Sequence, residues 1–310
     1  MCWVNNMIKR YNDLNTYLKG IFGCRVQKIT IDAGFSCPNR DGTLSTKGCI
    51  YCNVRGSGTG AGSKGLSVTE QLRQGKSALS KRYRAKKFIA YFQAFSNTYA
   101  PIERLKHLYD EAVEVEDVVG LSIGTRPDCV DESVLDLLQD YAKNYMVWIE
   151  YGLQSAHDST LAFINRGHDF NCFKKAVETT QNRDIKICAH IILGLPQEEK
   201  KHMLATAKAI ADMGIDGIKI HLLYVVKRTK LDEFYAAGQY RCLEQHEYVD
   251  LVCDFLERIP KHMVIQRLTG DPHFEELAAP MWSIKKAETL SLIRETLEKR
   301  DSWQGKFVDD

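Results

Sequence analysis

The amino-acid sequence predicts an α/β fold of six strand–helix units followed by a smaller α+β portion. Three observations carry this. Short β-rich runs alternate with helical patterns from about residue 25 to 228. Those runs are nearly continuous apolar stretches, the pattern of parallel strands buried on both faces. Beyond residue 228 the rhythm weakens. On the residues alone the units either close into a barrel or spread as an open sheet, with right-handed crossovers in both cases.

The elements follow in order. Residues 1–24 read as a helical lead-in: the apolar positions are spaced as on an amphipathic helix, and Lys9, Arg10, Asp13 and Lys19 interrupt any secretory signal. Val26 to Ile31 (VQKITI) reads as the first strand and Val68 to Tyr83 as a helix. Phe88 to Gln93 (FIAYFQ) is the next strand, and Pro101 to Val115 a helix with Pro in its first turn, where a missing N–H costs nothing. Val118 to Gly124 precedes a helix over 131–143 capped by Asp131. Met146 to Leu153, Ile185 to Leu193 and Gly217 to Leu223 complete the strands, with helical stretches at 157–182 and 198–213. A helix over 244–258, a short strand over 263–268 and a helix near 284–299 make up the remainder.

Bulk composition narrows the class. A chain of 310 residues, 44% hydrophobic and 26% charged, can bury a large core without disulfide staples. The formal net charge of +2 permits a nucleic-acid partner without demanding one. No window approaches eighteen uninterrupted apolar residues, so a membrane span is not expected, and a cytoplasmic location is. Ten cysteines is an unusual count. In a reducing compartment they read as metal ligands, catalytic groups or small buried hydrophobes rather than disulfides.

The informative segment runs from Cys37 through Cys49 to Cys52, a Cys-x11-Cys-x2-Cys pattern on the loop after the first strand. Reactive groups of β/α barrels gather on that face. Three thiolates on one loop can bind three irons of a cubane cluster and leave the fourth iron for a small chelating ligand. Other readings stay open at this point. Cys49 and Cys52 alone would suit a thioredoxin-type pair, which Cys37 and the long chain do not fit. A structural zinc site would need a fourth ligand, and no second CxxC or CxxH pair follows nearby.

With an aromatic residue, Tyr51, just before the last cysteine, this segment resembles the cluster loop of radical S-adenosylmethionine (SAM) proteins. The stretched first gap departs from the commonest spacing of that superfamily and resembles its elongator-type and coproporphyrinogen-type branch. GFSCPNRDGT, GTRPDC, YGLQSAHDSTLAFINRGHDF, HIILGLPQE and GIKIHLLYVVKRT are similar to a bacterial family of YtqA/YhcC type, whose Gram-positive members are associated with wobble-uridine modification in tRNA. The resemblance covers almost the whole chain. It implies a partial (β/α)6 TIM-like barrel over 25–228 with a cluster loop at 34–66, and a C-terminal extension over 229–310 that packs on the barrel.

It also implies cofactors, partners and roles. A [4Fe-4S] cluster held by Cys37, Cys49 and Cys52 would chelate SAM, and an electron from a flavodoxin- or ferredoxin-type reductant would yield a 5′-deoxyadenosyl radical. The substrate would be the tRNA anticodon loop, at 5-carboxymethylaminomethyluridine, leaving 5-aminomethyluridine for a downstream tRNA methyltransferase. Gln93, Ser96 and Asn97, in QAFSNT, fall where relatives bind the amino group of SAM. Arg126 and Asp128 follow the third strand. Gln154 and Arg166 match positions contacting the SAM ribose and carboxylate, for which an Arg fork is well shaped. Gly194, Leu195 and Pro196 match a turn against adenine. His221 and Lys227 fall late in the barrel, nearer the substrate.

Strand periodicity adds a separate argument. Residues two apart share a face, which groups Glu150 with Gly152 and Gln154, His190 with Ile192 and Gly194, and Lys219 with His221 and Leu223. Polar groups thus recur where an apolar core would carry Val or Ile. Singly each suits a satisfied buried network; together they point to a site, with Glu150 and His190 on the cofactor side. Three features stay open. Gly56 to Gly65 lacks the Gly-Lys-Ser/Thr ending of a phosphate loop and reads as a flap or a plain connection. Lys81 to Lys87, the densest basic run, reads as a solvated helix end or an RNA phosphate contact. Cys129, next to GTRPD, is the scattered cysteine nearest a motif.

Overall fold

A computed structural model of the chain describes residues 9–56, 61 and 65–308. Most of the Gly56 to Gly65 stretch lies outside the described residues. Seven parallel strands form one sheet in the order β1 (Val26–Ile31), β2 (Lys87–Phe92), β3 (Val118–Thr125), β4 (Met146–Gln154), β5 (Lys186–Leu193), β6 (Gly217–Leu222) and β8 (Val264–Arg267). The sheet curls far enough for its two edge strands to meet through side chains: Lys28 Nζ on β1 donates to Gln266 Oε1 on β8 at 2.6 Å. The result is a partial barrel.

Alternation sorts the strand residues into two layers. Outward positions such as Ile29, Phe88, Leu121, Ile149 and Ile218 pack with helix residues Leu72, Leu105, Leu138, Phe173 and Ile210 into the main core. These belong to α2 (Val68–Tyr83), α3 (Ile102–Val113), α4 (Glu132–Ala142), α6 (Phe170–Thr180) and α7 (Lys200–Ala211). Inward positions change character along the barrel axis. At the N-terminal end Ile89, Trp148, Cys188 and Val264 form an apolar floor. The floor is sealed from below by α1 (Leu14–Phe22), through Leu14, Tyr17 and Leu18. Asp13 starts that helix by accepting from Thr16 N, and Gly23, with left-handed backbone, ends it. Above the floor the inward residues become polar.

The single helical stretch expected over 157–182 is two helices, α5 (Asp158–Phe163) and α6. Asn165 and Gly167 both take left-handed backbone between them, and Asp169 restarts the helix by accepting from Cys172 N at 2.7 Å. The C-terminal portion does more than pack on the barrel. Its strand β8 pairs with β6 and supplies the seventh strand, behind α9 (Gln245–Leu256) and α10 (Lys286–Lys299). A two-stranded ribbon of β7 (Val225–Val226) and β9 (Leu277–Ala279), with α8 (Lys230–Ala236), was not expected from periodicity. These elements are too short to show one. The outer edge of β8 is occupied by residues 12–13: Ile265 N donates to Asn12 O at 2.8 Å, and Asp13 bridges Ile265. Gln304 holds that segment from the other side, its N donating to Arg10 O at 2.9 Å and its Oε1 accepting from Asn12 N at 3.0 Å. No helix among the described residues is long and apolar enough to cross a membrane.

Candidate active site

One cavity of about 410 Å³ opens at the C-terminal ends of the strands. Cys37, Cys49 and Cys52 line it, on the loop that follows β1. The loop is shaped by its own backbone, with Arg40 N and Asp41 N donating to Cys37 O and Cys52 N to Cys49 O. It is also stitched to the turn between α5 and α6. Ile50 N donates to Ile164 O at 3.1 Å, and the buried Asn39 Nδ2 donates to Asn165 O at 2.5 Å while lying 3.6 Å from Cys49 Sγ. The break in the helix is therefore what presents the turn to the cysteines.

That turn carries Arg166. Its guanidinium is buried, lies 3.7 Å from Cys49 Sγ through Nη1, and donates to Gly152 O through Nη2 at 2.6 Å and Nε at 3.2 Å. Burial opposes the charge, but Cys49 and Tyr51 hold Arg166 protonated. Arg126, also buried, grips Asp128 with two bonds of 2.8 and 2.7 Å and donates to Arg166 O at 2.8 Å. Burial, with Cys49 adding to it, pushes the Cys52 thiol up to about 11, and Arg40 pulls the other way. A thiolate there calls for a cationic partner or a metal.

The Arg166 seat depends on Gly152 having no side chain. A Cβ at 152 would lie 2.5 Å from Arg166 Nη2 and 2.8 Å from Gln154 Nε2. We therefore expect Gly152→Ala to keep the fold but displace the guanidinium, with SAM cleavage falling roughly 10- to 100-fold, as misplacements of about 1 Å do. Thermal unfolding and product yield measured together test this; an Ala variant with unchanged yield would remove Arg166 from the site.

Beneath the cysteines the inward polar residues converge on Glu150, which is fully buried. Lys28 reaches Oε1 at 2.5 Å, His190 Nε2 lies 2.7 Å from Oε2, and Lys219 and Ser122 also bond the carboxylate. Lys219 sits over the Tyr91 ring at 3.8 Å. Burial alone would raise the Glu150 carboxyl, but the charges of Lys219 and Lys28 outweigh it and hold the group well below its usual range. Burial lowers His190 to about 4, so its neutral ring donates to the carboxylate. His221 stands 5.6 Å from the His190 ring and is held neutral by burial and by Arg267.

Comparison with known proteins decides the family. Residues 42–210 match the model of the radical SAM superfamily, and residues 215–299 the model of a radical SAM C-terminal domain. The chain belongs to the radical SAM superfamily. Within it, the chain is 45% identical over 303 residues to YtqA of Bacillus subtilis, covering 98% of this chain and 94% of that one. YhcC of Escherichia coli is 40% identical over 262 residues, 84% of each chain. These place it in the YtqA/YhcC-like family. A more distant relative, 25% identical over 185 residues and covering 58% of this chain and 33% of its own, is named tRNA uridine(34) acetyltransferase, from Methanocaldococcus jannaschii. The fold is shared with the archaeal Elp3 structure from Methanocaldococcus infernus, with a TM-score of 0.71 over 90% of this chain and 64% of that one at 17% identity.

Membership of the radical SAM superfamily implies a [4Fe-4S] cluster and SAM, and the residues present fit both. Three free thiols share one cavity wall. A cubane takes one protein thiolate on each of three irons, which this set of three cysteines matches. Tyr51 Oη and Ser96 Oγ are buried without a hydrogen-bond partner among the described residues, which fits a polar ligand beside the thiols.

Most expected site residues meet in this cavity. Tyr51, Gln93, Ser96, Arg126, Glu150, Gln154, Arg166, His190 and His221 line it with the cysteines. Gln154 arrives through a register shift and a φ of 79° rather than by simple alternation. Others do not line it. Asn97 turns its Nδ2 onto Gly124 O at 2.7 Å, bracing the loop, and Asp128 braces Arg126 from outside. Gly194 accepts from Tyr240 Oη at 2.9 Å, and Leu195 packs in a neighbouring apolar cluster with Ile50 and Leu161; Pro196 likewise does not line the cavity. Lys227 points away, donating to Glu275 O at 2.9 Å. Cys129 is no cavity residue either, its thiol pushed up to about 12 by burial. The Lys81 to Lys87 run lies where α2 ends and β2 begins, at the opposite end of the barrel from the cysteines.

Several cavity residues escaped the sequence reading: Tyr91, Arg40, Tyr224, Arg267 and His273. Tyr91 was findable, because it shares the inward face of its strand with Ile89. Arg267 was not, because a bulge in its strand places it there.

Proposed function

We propose that this radical SAM protein modifies the wobble uridine of tRNA, converting 5-carboxymethylaminomethyluridine to 5-aminomethyluridine. The observation that carries the reading is the 185-residue match to a relative named tRNA uridine(34) acetyltransferase. The mouth of the cavity supports it: Phe274, 64% exposed, stands beside Pro272 and His273 on the cavity lining, an aromatic surface for an unstacked base.

Cys37, Cys49 and Cys52 would hold the cluster, with Asn39 and Arg166 tempering the charge on Cys49. Arg166, steadied by Arg126 and Gly152 O, would orient the SAM carboxylate, and Ser96 with Gln93 its amino group. When bound, the pair would supply a 5′-deoxyadenosyl radical, with SAM as the oxidant; loss of a hydrogen atom, an electron and a proton from the carboxymethylamino group would leave an imine, which water would split into the primary amine and glyoxylate. The apolar floor and the Glu150 layer exclude water from below, which limits quenching. The electron would come from a flavodoxin- or ferredoxin-type protein, and the product amine would pass to a tRNA methyltransferase.

The test is anaerobic reconstitution with iron and sulfide, then SAM, a strong reductant and tRNA from cells lacking this gene. The expected result is 5′-deoxyadenosine whose yield depends on tRNA, with loss of the carboxymethyl mass from one wobble nucleoside. Formation of 5′-deoxyadenosine with every nucleoside unchanged would remove the tRNA substrate and leave the radical chemistry.

A further inference from the structure

Five arginines line the cavity, and four of them are engaged. Arg40 donates to Cys52 O, Arg55 pairs with Glu276 at 3.0 Å, and Arg126 and Arg166 have the partners described. Arg267 has neither an ion pair nor a hydrogen-bond acceptor among the described residues, although it is half-buried. The three acids that line the cavity are all occupied: Glu150 by Lys28, Lys219 and His190, Asp271 by Lys286 at 2.8 Å, and Glu276 by Arg55 and Asn53. The cavity lining therefore carries five arginines against three acids, and each acid already has a cationic partner.

The backbone has been arranged to put Arg267 there. Ile218 pairs with Ile265, but Lys219 pairs with Arg267, so two residues of β8 oppose one of β6. Val264 faces the barrel interior, Ile265 the helices and Gln266 the interior, where it meets Lys28. Simple alternation would send Arg267 outward; the bulge returns it to the cavity. Gln266 Nε2, next in the chain, is a buried donor without an acceptor among the described residues. Across from it Tyr224 lines the cavity with its ring against Gly270, where a Cβ would come within 2.8 Å. His221 lies on the same strand end.

We infer that Arg267, flanked by Tyr224 and His221, is the seat for a carboxylate on the substrate. The inference rests on the tRNA reading above for the identity of that carboxylate, the free acid of the carboxymethylamino group. SAM also carries a carboxylate, but Arg166 stands beside Cys49 for that one, whereas Arg267 acts on His190, His221 and Tyr224. A planar guanidinium matches a carboxylate with two parallel bonds, and an amide of the same shape cannot replace it.

The experiment compares wild-type and Arg267→Gln proteins, cluster-loaded and unreduced with SAM bound. The probes are the nucleoside 5-carboxymethylaminomethyluridine and its carboxamide, titrated calorimetrically. Wild type should bind the acid about tenfold or more tighter than the amide, the size expected of a charged hydrogen-bonded pair. Arg267→Gln should bring the two within about twofold, and Arg267→Lys should keep part of the gap. Affinity for SAM itself should stay within about twofold, because no group is left unpaired by the change. The proposal is overturned if wild type does not separate acid from amide, if Arg267→Gln preserves the gap, or if that variant loses SAM instead. Equal weakening of acid- and amine-bearing tRNA with no nucleoside gap would make Arg267 a phosphate contact and also overturn it. Failure of wild type to convert tRNA sinks the tRNA reading, while the acid–amide gap still judges the seat.

Discussion

Changing Cys49 to Ala should leave a folded chain that no longer holds iron. Cys49 is buried and sits where Asn39 and Arg166 both approach its sulfur, so it is the best supported of the three ligands. Removing an outer partner of a metal ligand costs about 10- to 100-fold in affinity or activity, and removing the ligand itself should cost more. Iron and sulfide per chain, the brown colour and 5′-deoxyadenosine should all fall by at least about 100-fold together. Because Ala removes only a sulfur atom, the thermal transition of the metal-free protein should barely move. An Ala variant that assembled a full cluster and cleaved SAM normally would overturn the assignment of this loop.

Glu150→Gln should have the largest effect on stability. The change leaves Lys28 and Lys219 buried around a neutral amide, and removing one partner from a buried ion pair costs about 3–5 kcal/mol. The double change Glu150→Gln with Lys219→Met should recover part of that loss, since one uncompensated charge goes with it. The same layer sets an acid response. His190 is held at about 4 against an ordinary value of 6.5, so it binds fewer protons folded than unfolded between those pH values. Its contribution is complete above pH 6.5 and drains away as pH falls toward 4. Glu150, held below its ordinary 4.5, contributes fully above that value and is lost only at lower pH. Midpoints measured from pH 8 to pH 4 should therefore begin to fall near pH 6.5 and steepen below 4.5. In His190→Gln the first part of the decline should flatten; a parallel curve would show that His190 is not the group responsible.

The sequence conveyed the strands and their direction well, because a run such as Phe88 to Phe92 is apolar on both faces, as a parallel strand buried on both sides is. Inward polar residues were legible wherever alternation runs undisturbed, as for Glu150, His190 and His221. Arg267 was invisible because a bulge is a property of two strands together, and period-two counting along one of them puts the residue on the wrong face. Lys28 failed differently: its partner Glu150 is 122 residues away, and only closure of the sheet brings them together. The turn at 164–169 was hidden inside an apparently continuous helix, although Asn165 and Gly167 marked it. Gly194, Leu195 and Pro196 were matched by motif, and motif does not say on which side of a strand end a turn packs.

The pairing of residues 12–13 with the outer edge of β8 has a consequence for manipulation of the chain. An uncovered edge strand offers a row of unpaired donors and acceptors to any other extended segment, and proteins avoid presenting one. Here the cover is a few residues long and is clamped by Gln304, close to the opposite end of the chain. Trimming or fusing at either extremity therefore acts on the same strand. Two regions that look dispensable in a linear map jointly guard the molecule against edge-to-edge association, and the strand they guard ends in Arg267.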